Sequence, residues 1–175
     1  MKRVIYTVGH SSRKLGQLAE ILRGHNVRQL IDIRSIPGSR HNPQFNKRAL
    51  QRKMPGYGIK YLHMQGLGGL RKPERDSINT GWRNMSFRGY ADYMQTKEFK
   101  SALTELIKRS EKKQTAVMCA EGNPYRCHRS LLADALVVRG IKAIEISSPG
   151  GAGSEHKMTR FARVRGRKIT YPEQG

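Results

Sequence analysis

The sequence predicts an α/β fold, a single three-layer domain with a mainly parallel sheet and long basic loops. Short β-branched runs alternate with segments whose apolar residues recur at helical spacing, which is typical of alternating strands and helices. The length of 175 residues suits one domain, since domains usually take about 100–200 residues. We therefore predict one domain over residues 1–175, with a basic C-terminal extension over about 150–175.

The N-terminal part predicts a strand, a helix and a second strand. Residues 3–8 are β-branched and aromatic and end at Gly9, as a buried strand does. Residues 15–24 carry apolar side chains at helical spacing and end on a glycine. Residues 27–33 predict the next strand, so the order is that of a right-handed βαβ unit.

Two long segments in the middle of the chain predict loops. Residues 35–58 contain three prolines and one short helical stretch over 46–53. A short strand is predicted over 59–62, and residues 63–86 are rich in Gly, Arg and Pro. Long irregular segments in a domain are usually functional or disordered, and the aromatic residues within these two favour order.

The C-terminal half predicts a return to regular structure. Asn123 suits an N-cap and Pro124 the first position of a helix, so a helix is predicted to begin there and to end at Gly140. The other predicted elements are regular structure over 90–94, a helix over 99–111, and strands over 115–119, 141–146 and 169–171.

The charge of the chain predicts an acidic partner. Lys and Arg number 34 against 13 Asp and Glu, a net charge of +21 that is spread along the whole chain. Nucleic acid or a nucleotide is the first candidate, and a merely solvated basic surface is the alternative. No apolar stretch is long enough for a membrane span, and two cysteines do not make a disulfide framework. We expect a cytoplasmic protein with reduced thiols and no membrane partner.

Polar residues follow the predicted strands at their carboxyl ends, where ligands bind in parallel sheets. These residues are His10, Ser11, Asp32, Arg34, Cys119 and Glu121. The sequence therefore predicts a site at this edge. The alternative is that Asp32 and His10 only cap loops and helices.

The segment from Cys119 to Arg129 carries the strongest local signal. A strand ends at a cysteine, and the free N–H groups of the predicted helix start would bind an anion and lower the pKa of a nearby thiol. Arg126 and Arg129 are spaced to share one helix face and one anion. The candidate catalytic residues are Cys119, Glu121, His128, Asp32 and His10, and the candidate anion-binding residues are Arg34, Arg126, Arg129 and Ser11.

Three other interpretations of this segment stay open. A phosphatase-like loop would place its arginine one residue closer to the cysteine than Arg126 lies from Cys119. A metal site would combine Cys119, Cys127 and His128, with His10 or His156, at a spacing unusual for zinc. The third interpretation is that Cys119 is only a small, buried, apolar residue. We predict no metal and no cofactor.

The long loops predict a second set of contacts. Their cations alternate with aromatic residues, which suits phosphate contacts combined with base stacking. The candidate nucleic-acid-binding residues are Arg40, Lys47, Arg71, Lys72 and Arg83. The alternative is that Phe45 and Trp82 simply cover a small core.

The motifs together closely resemble the DUF488 family. They are Thr-Val-Gly-His-Ser at 7–11, Asp-Ile-Arg-Ser at 32–35, Pro37 with Ser-Arg at 39–40, Asn-Pro-Gln-Phe at 42–45, Leu-Gly-Gly at 67–69, Asn-Thr-Gly-Trp at 79–82 and Met-Cys-Ala-Glu…Pro…Cys-His-Arg at 118–129. The resemblance runs from residue 4 to about 172. It implies an α/β fold and a shared site but no reaction. The matching positions are His10, Asp32, Arg34, Arg40, Cys119, Glu121, Cys127, His128 and Arg129.

Two classes of function therefore stay open. One is an enzyme with Glu121 or His128 as acid or base and Cys119 as nucleophile, in which the Cys119 thiol should be accessible and have a low pKa. The other is a non-catalytic nucleic-acid-binding module whose Cys–His segment is structural or redox-sensing, in which that thiol should be inert.

Overall fold

The main sheet is six-stranded and mainly parallel. A computed structural model of the protein describes residues 3–174, so the predicted domain bounds 1–175 extend beyond these residues at both ends. The strands are β1 (Val4–Gly9), β2 (Gln29–Asp32), β3 (Lys60–His63), β4 (Thr115–Cys119), β5 (Lys142–Glu145) and β6 (Ser154–Glu155). They lie in the order β3-β2-β4-β1-β5-β6, and only β6 is antiparallel to its neighbour. The predicted α/β class is confirmed.

Helices cover both faces of the sheet. They are α1 (Leu15–Gly24), α2 (Lys47–Lys53), α3 (Met85–Tyr93), α4 (Lys97–Lys112) and α5 (Arg129–Val138). One apolar cluster joins α1 and α2 to one face, and a larger cluster joins α3, α4 and α5 to the other. This gives the three predicted layers. Within residues 3–174, no helix has the length and apolar character needed to cross a membrane.

Burial and capping explain why these segments form regular structure. All five residues of β4 are buried because helices cover both of its faces, as expected for an interior parallel strand. In α4, Thr96 caps the first turn by accepting a hydrogen bond from the Phe99 N–H (3.2 Å), and Phe99, Leu103 and Leu106 form the buried face. The predicted helix over 99–111 is therefore confirmed, and it extends slightly further at both ends.

The irregular segment between β3 and α3 is ordered by one carboxylate. Asp92 accepts hydrogen bonds from the Ser77 hydroxyl (2.7 Å), the Asn79 amide (2.6 Å) and the Glu74 N–H (2.8 Å). These bonds satisfy the polar groups of a loop that has few regular backbone partners.

The basic C-terminal segment is packed against the domain. Its hairpin consists of β7 (Arg163–Arg165) and β8 (Lys168–Thr170), close to the strand predicted over 169–171. The buried Asp134 of α5 accepts hydrogen bonds from the Tyr171 hydroxyl (2.8 Å), the Thr159 hydroxyl (2.7 Å) and His156 Nε2 (2.7 Å). Three side chains of the segment are thus hydrogen-bonded to one buried carboxylate.

The helix predicted to begin at Asn123 is the main error in the predicted elements. The Asn123 carboxamide caps the Tyr125 N–H (2.9 Å), but the residues after it form only a short 3-10 turn over Pro124–Arg126. Cys127 is then extended, and α5 begins only at Arg129. Arg126 and Arg129 are therefore not neighbours on one helix, and Arg126 is exposed whereas Arg129 is buried.

Candidate functional site

A cleft of about 670 Å³ lies at the carboxyl ends of β1, β2 and β4. The predicted site residues that line it are His10, Ser11, Arg34, Cys119, Glu121, Arg126 and His128, together with Cys127. We call this cavity the strand-end cleft. Asp32 and Arg129 are fully buried and are not part of its lining. The strand ends thus bring together most of the residues that the sequence selected, in the position expected for a ligand site in a parallel sheet.

Asp32 and His10 fix the position of Arg34. The Asp32 carboxylate accepts hydrogen bonds from Arg34 Nε (2.9 Å) and Nη2 (2.7 Å), and also from the Tyr61 hydroxyl (2.5 Å). Burial alone would lower the pKa of Arg34, but the hydrogen bond and negative charge of Asp32 raise it. The guanidinium therefore stays charged at the wall of the cleft.

His10 is a neutral partner of this pair. Its Nδ1–H donates to the Ser11 carbonyl oxygen (2.8 Å), so its Nε2 accepts from Arg34 Nη1 (3.2 Å). The ring stacks on Phe45 with centroids 4.3 Å apart. Burial lowers the pKa of His10, which keeps the imidazole uncharged beside a guanidinium. His10 and Asp32 thus both contact Arg34, and of the two only His10 lines the cleft.

Arg129 is the central buried cation. Its Nη2 and Nε donate to the Glu145 carboxylate (2.6 and 3.2 Å), and Nη1 donates to Cys119 Sγ (2.7 Å). The same guanidinium donates to the carbonyl oxygens of Glu121 and Gly122. All five N–H groups thus have protein acceptors. Arg129 holds the loop after β4 in place, and the structure offers Arg126 rather than Arg129 to an external anion.

Cys119 and Cys127 are free thiols whose Sγ atoms lie 2.7 Å apart. Burial raises the pKa of the Cys119 thiol well above its usual value. The hydrogen bond with Cys119, aided by one with His128, lowers the pKa of Cys127 to about 4 against the effect of burial. The pair therefore shares one proton, held mainly by Cys119. The structure does not give Cys119 the accessible thiol of low pKa that the enzyme hypothesis requires, and it gives the low pKa to Cys127.

His128 is oriented toward this pair. Its Nε2–H donates to the Ile33 carbonyl oxygen (2.9 Å), so Nδ1 is the ring nitrogen that faces Cys127 Sγ (3.5 Å). The backbone of Gly69 packs against the ring so closely that an added Cβ would overlap Nδ1 (2.8 Å). The imidazole is thus held in one orientation by the strand, the loop and the thiol.

The loop after β4 presents the two exposed charges of the cleft. Glu121 is exposed, and its carboxylate accepts a hydrogen bond from the Asn123 N–H (3.1 Å). Arg126 is also exposed, and among residues 3–174 its side chain makes no hydrogen bond or ion pair. Within the described part of the chain, no group of three or more His, Cys, Asp or Glu side chains is placed to hold a metal ion.

The predicted loop cations lie outside the lining of the strand-end cleft. Arg40, Lys47, Lys72 and Arg83 are exposed on the long loops and at the start of α2. The Arg71 guanidinium instead lies over the Tyr93 ring, 3.7 Å from its centroid. It also donates to the Gly68 carbonyl oxygen (3.1 Å), so Arg71 has a packing role within the domain.

Sequence reasoning missed the chemical importance of Cys127. The signal available was its position directly before a histidine and the first turn of α5, since a helix start lowers the pKa of an adjacent thiol. The Arg129 N–H lies 3.5 Å from Cys127 Sγ at that helix start. The sequence could not show that Cys119 would contact the same sulfur.

The fold and the cleft define an α/β protein with a polar, two-cysteine site at the carboxyl edge of a parallel sheet. The chain belongs to the family described as Domain of unknown function DUF488, whose model matches residues 14–136. The resemblance to this family is thus confirmed over a span that begins after β1 and ends within α5. No curated protein and no solved structure matches the chain.

Proposed function

We propose that the strand-end cleft binds a phosphate-bearing ligand, either a nucleotide or a segment of nucleic acid. The observation that carries this proposal is the exposed guanidinium of Arg126 at the cleft, which pairs with no other group among residues 3–174, in a chain of net charge +21. A guanidinium with free N–H groups binds a phosphate through two hydrogen bonds, which gives both affinity and orientation. The hydroxyl groups of Ser11 and Ser12 line the same cleft and would add neutral donors.

The apolar rim favours a nucleotide over inorganic phosphate. Ile36 and Leu70 line the cleft and are 70% and 72% exposed, and Tyr125, next to Arg126, is 75% exposed. Exposed apolar groups beside a cation are a typical arrangement for binding a base together with its phosphate. Tyr125 is therefore the candidate for base stacking and Arg126 for the adjacent phosphate.

The candidates for acid–base chemistry lie within the same cleft. In an enzyme of this form, the exposed Glu121 carboxylate would be the group that exchanges protons with a bound ligand. His128 would act on the thiol pair, because its Nδ1 faces Cys127. The alternative is a module that binds nucleic acid without transforming it, and the Arg126 contact is common to both.

The proposal is tested by binding of labelled nucleotides and short single-stranded DNA and RNA as a function of salt. Replacing Arg126 by Glu should weaken binding by about tenfold or more and should reduce the magnitude of the salt slope for a single strand by about 0.7, since one phosphate contact is lost. Fluorescence anisotropy measures both quantities for the wild-type protein and the variant.

A matched control makes the same change of charge elsewhere. Arg28 is exposed just before β2, at the opposite edge of the sheet from the strand-end cleft. Arg28→Glu should change the affinity less than about threefold, because a screened charge at this distance contributes little at physiological salt. Equal losses for Arg28→Glu and Arg126→Glu would contradict a site at the cleft and would assign binding to the general charge of the surface.

A further inference from the structure

The two cysteines form a thiol pair whose function the proposed ligand binding does not explain. Cys119 ends β4, Cys127 precedes α5, and both line the strand-end cleft. Their Sγ atoms are 2.7 Å apart, and they are the only cysteines of the chain. Any intramolecular disulfide must therefore join these two positions.

We propose that Cys119 and Cys127 form a redox centre that reacts with a hydroperoxide through the cleft and closes to a disulfide. Cys127 is the thiol that attacks the peroxide. Cys119 is the thiol that resolves the product. This inference goes beyond the proposed function and does not depend on it.

The surroundings of the pair assign the attacking role to Cys127. The groups that face it are the Cys119 thiol from β4 and, at the start of α5, His128 and the Arg129 N–H; the Tyr90 ring of α3 packs against His128. The Cys119 thiol and the Arg129 N–H donate to Cys127 Sγ, as does His128 Nδ1 when both ring nitrogens carry hydrogen, and these donors stabilise a thiolate, which is the reactive form of cysteine. Burial and the shared proton keep Cys119 in the thiol form, which suits the second step.

The chemistry balances with a hydroperoxide as the only oxidant. The Cys127 thiolate attacks the terminal peroxide oxygen, the O–O bond breaks, and a sulfenic acid forms while the leaving alkoxide takes a proton from solvent. Cys119 then attacks the Cys127 sulfur, an S–S bond forms, and the hydroxyl leaves as water with the Cys119 proton. The two thiols lose two electrons in total, and the peroxide gains them.

The geometry allows the second step without rearrangement of the fold. A disulfide needs the two sulfurs at about 2.05 Å, so their approach from the observed distance is less than about 1 Å. Cys127 has extended backbone between the 3-10 turn and α5, and its own backbone hydrogen bonds, to the Pro124 carbonyl oxygen (3.3 Å) and from the Ser130 N–H (3.1 Å), lie at the ends of those two elements. The fold therefore already holds the thiols at a separation that a disulfide can bridge.

The test uses the full-length wild-type protein, first reduced with a dithiol and then treated with hydrogen peroxide. We expect both free thiols to disappear together and the intact mass to fall by two hydrogen atoms, with recovery on renewed reduction. Dimedone added at early times should label Cys127 and not Cys119. Absence of the intramolecular disulfide, or early labelling of Cys119, would overturn the proposal.

Two single variants separate the roles of the thiols. Cys119→Ser should stop at a Cys127 sulfenic acid that dimedone traps in full, whereas Cys127→Ser should react at least about tenfold more slowly because its remaining thiol is protonated. Between about pH 6 and pH 8 the wild-type rate should stay nearly constant, because the attacking thiol is already ionised. The rate of an ordinary thiol would instead rise about tenfold per pH unit over that range. Equal rates for the two variants would overturn the assignment, and if a variant does not fold, the wild-type labelling decides alone.

Discussion

Arg129 determines the form of the cleft at the scale of one residue. Its guanidinium is completely buried and joins the Glu145 carboxylate, the Cys119 sulfur and two carbonyl oxygens of the loop after β4. A buried cation with all its donors satisfied offsets its desolvation through these partners. Removing it leaves the Glu145 carboxylate and the charge of the thiol pair without their common counter-ion.

We expect Arg129→Met to lower the free energy of unfolding by about 3–5 kcal/mol, the usual cost of breaking a buried ion pair from one side. Urea denaturation measures this change in the free energy of unfolding. Glu111→Gln is the matched control, because its ion pair with Arg3 is largely exposed, with 52% and 40% of the side chains accessible. That change should cost less than about 1 kcal/mol. A loss for Arg129→Met no larger than for the control would show that the pair does not organise the site.

The end of β1 lies close to the backbone of the loop after β4. The His10 and Ser11 N–H groups donate to the Cys119 and Ala120 carbonyl oxygens (both 2.9 Å), which extends the β1–β4 pairing into the cleft. Gly9 lies at this junction, and an added Cβ would overlap the carbonyl group of Glu121. The glycine is required here by close approach of two backbones and not by a positive φ.

Gly9→Ala should therefore force β1 and the loop after β4 apart and lower the free energy of unfolding by about 3 kcal/mol. Gly56→Ala is the control, since nothing lies within 4 Å of an added Cβ there. That substitution should be neutral or should stabilise by up to about 1 kcal/mol, because it restricts the unfolded chain. Thermal and urea denaturation of both variants test the difference. Equal stability of the two variants would contradict the close contact at Gly9.

Sequence patterns predicted the strands better than the loops at this scale. β4 was predicted over its full length, because a short apolar run between turn signals is nearly sufficient for a buried strand. The predicted start of this helix at Asn123 was wrong, because Asn123 and Pro124 are equally suited to begin a short 3-10 turn. The candidate site was predictable in position, since strand ends share one edge, but the opposite pKa shifts of Cys119 and Cys127 depend on how the loop between them folds to bring the two sulfurs together.

The charge of the whole molecule would set how far the proposed ligand binding extends beyond the cleft. The net charge of +21 is spread over the chain, and Arg40 and Lys47 are exposed on the segment that also contributes Ser39 and Asn42 to the cleft. A mononucleotide in the cleft would contact Arg126, whereas a longer strand leaving the cleft would pass these loop cations. Comparing the affinities of short and long ligands therefore separates binding within the cleft from electrostatic attraction by the whole protein.

Reversing the charges of the loop cations distinguishes these two contributions. Reversing both loop charges, Arg40→Glu with Lys47→Glu, should leave mononucleotide affinity within about twofold but weaken a long single strand by about tenfold or more, because each lost phosphate contact removes about 0.7 from the salt slope. Anisotropy titrations with ligands of increasing length measure this. The control is Arg28→Glu with Lys113→Glu, two exposed cations at the opposite edge of the sheet. Equal losses for both double variants would mean that the long strand responds to net charge alone, and an equal loss for the mononucleotide would place these loops inside the primary site.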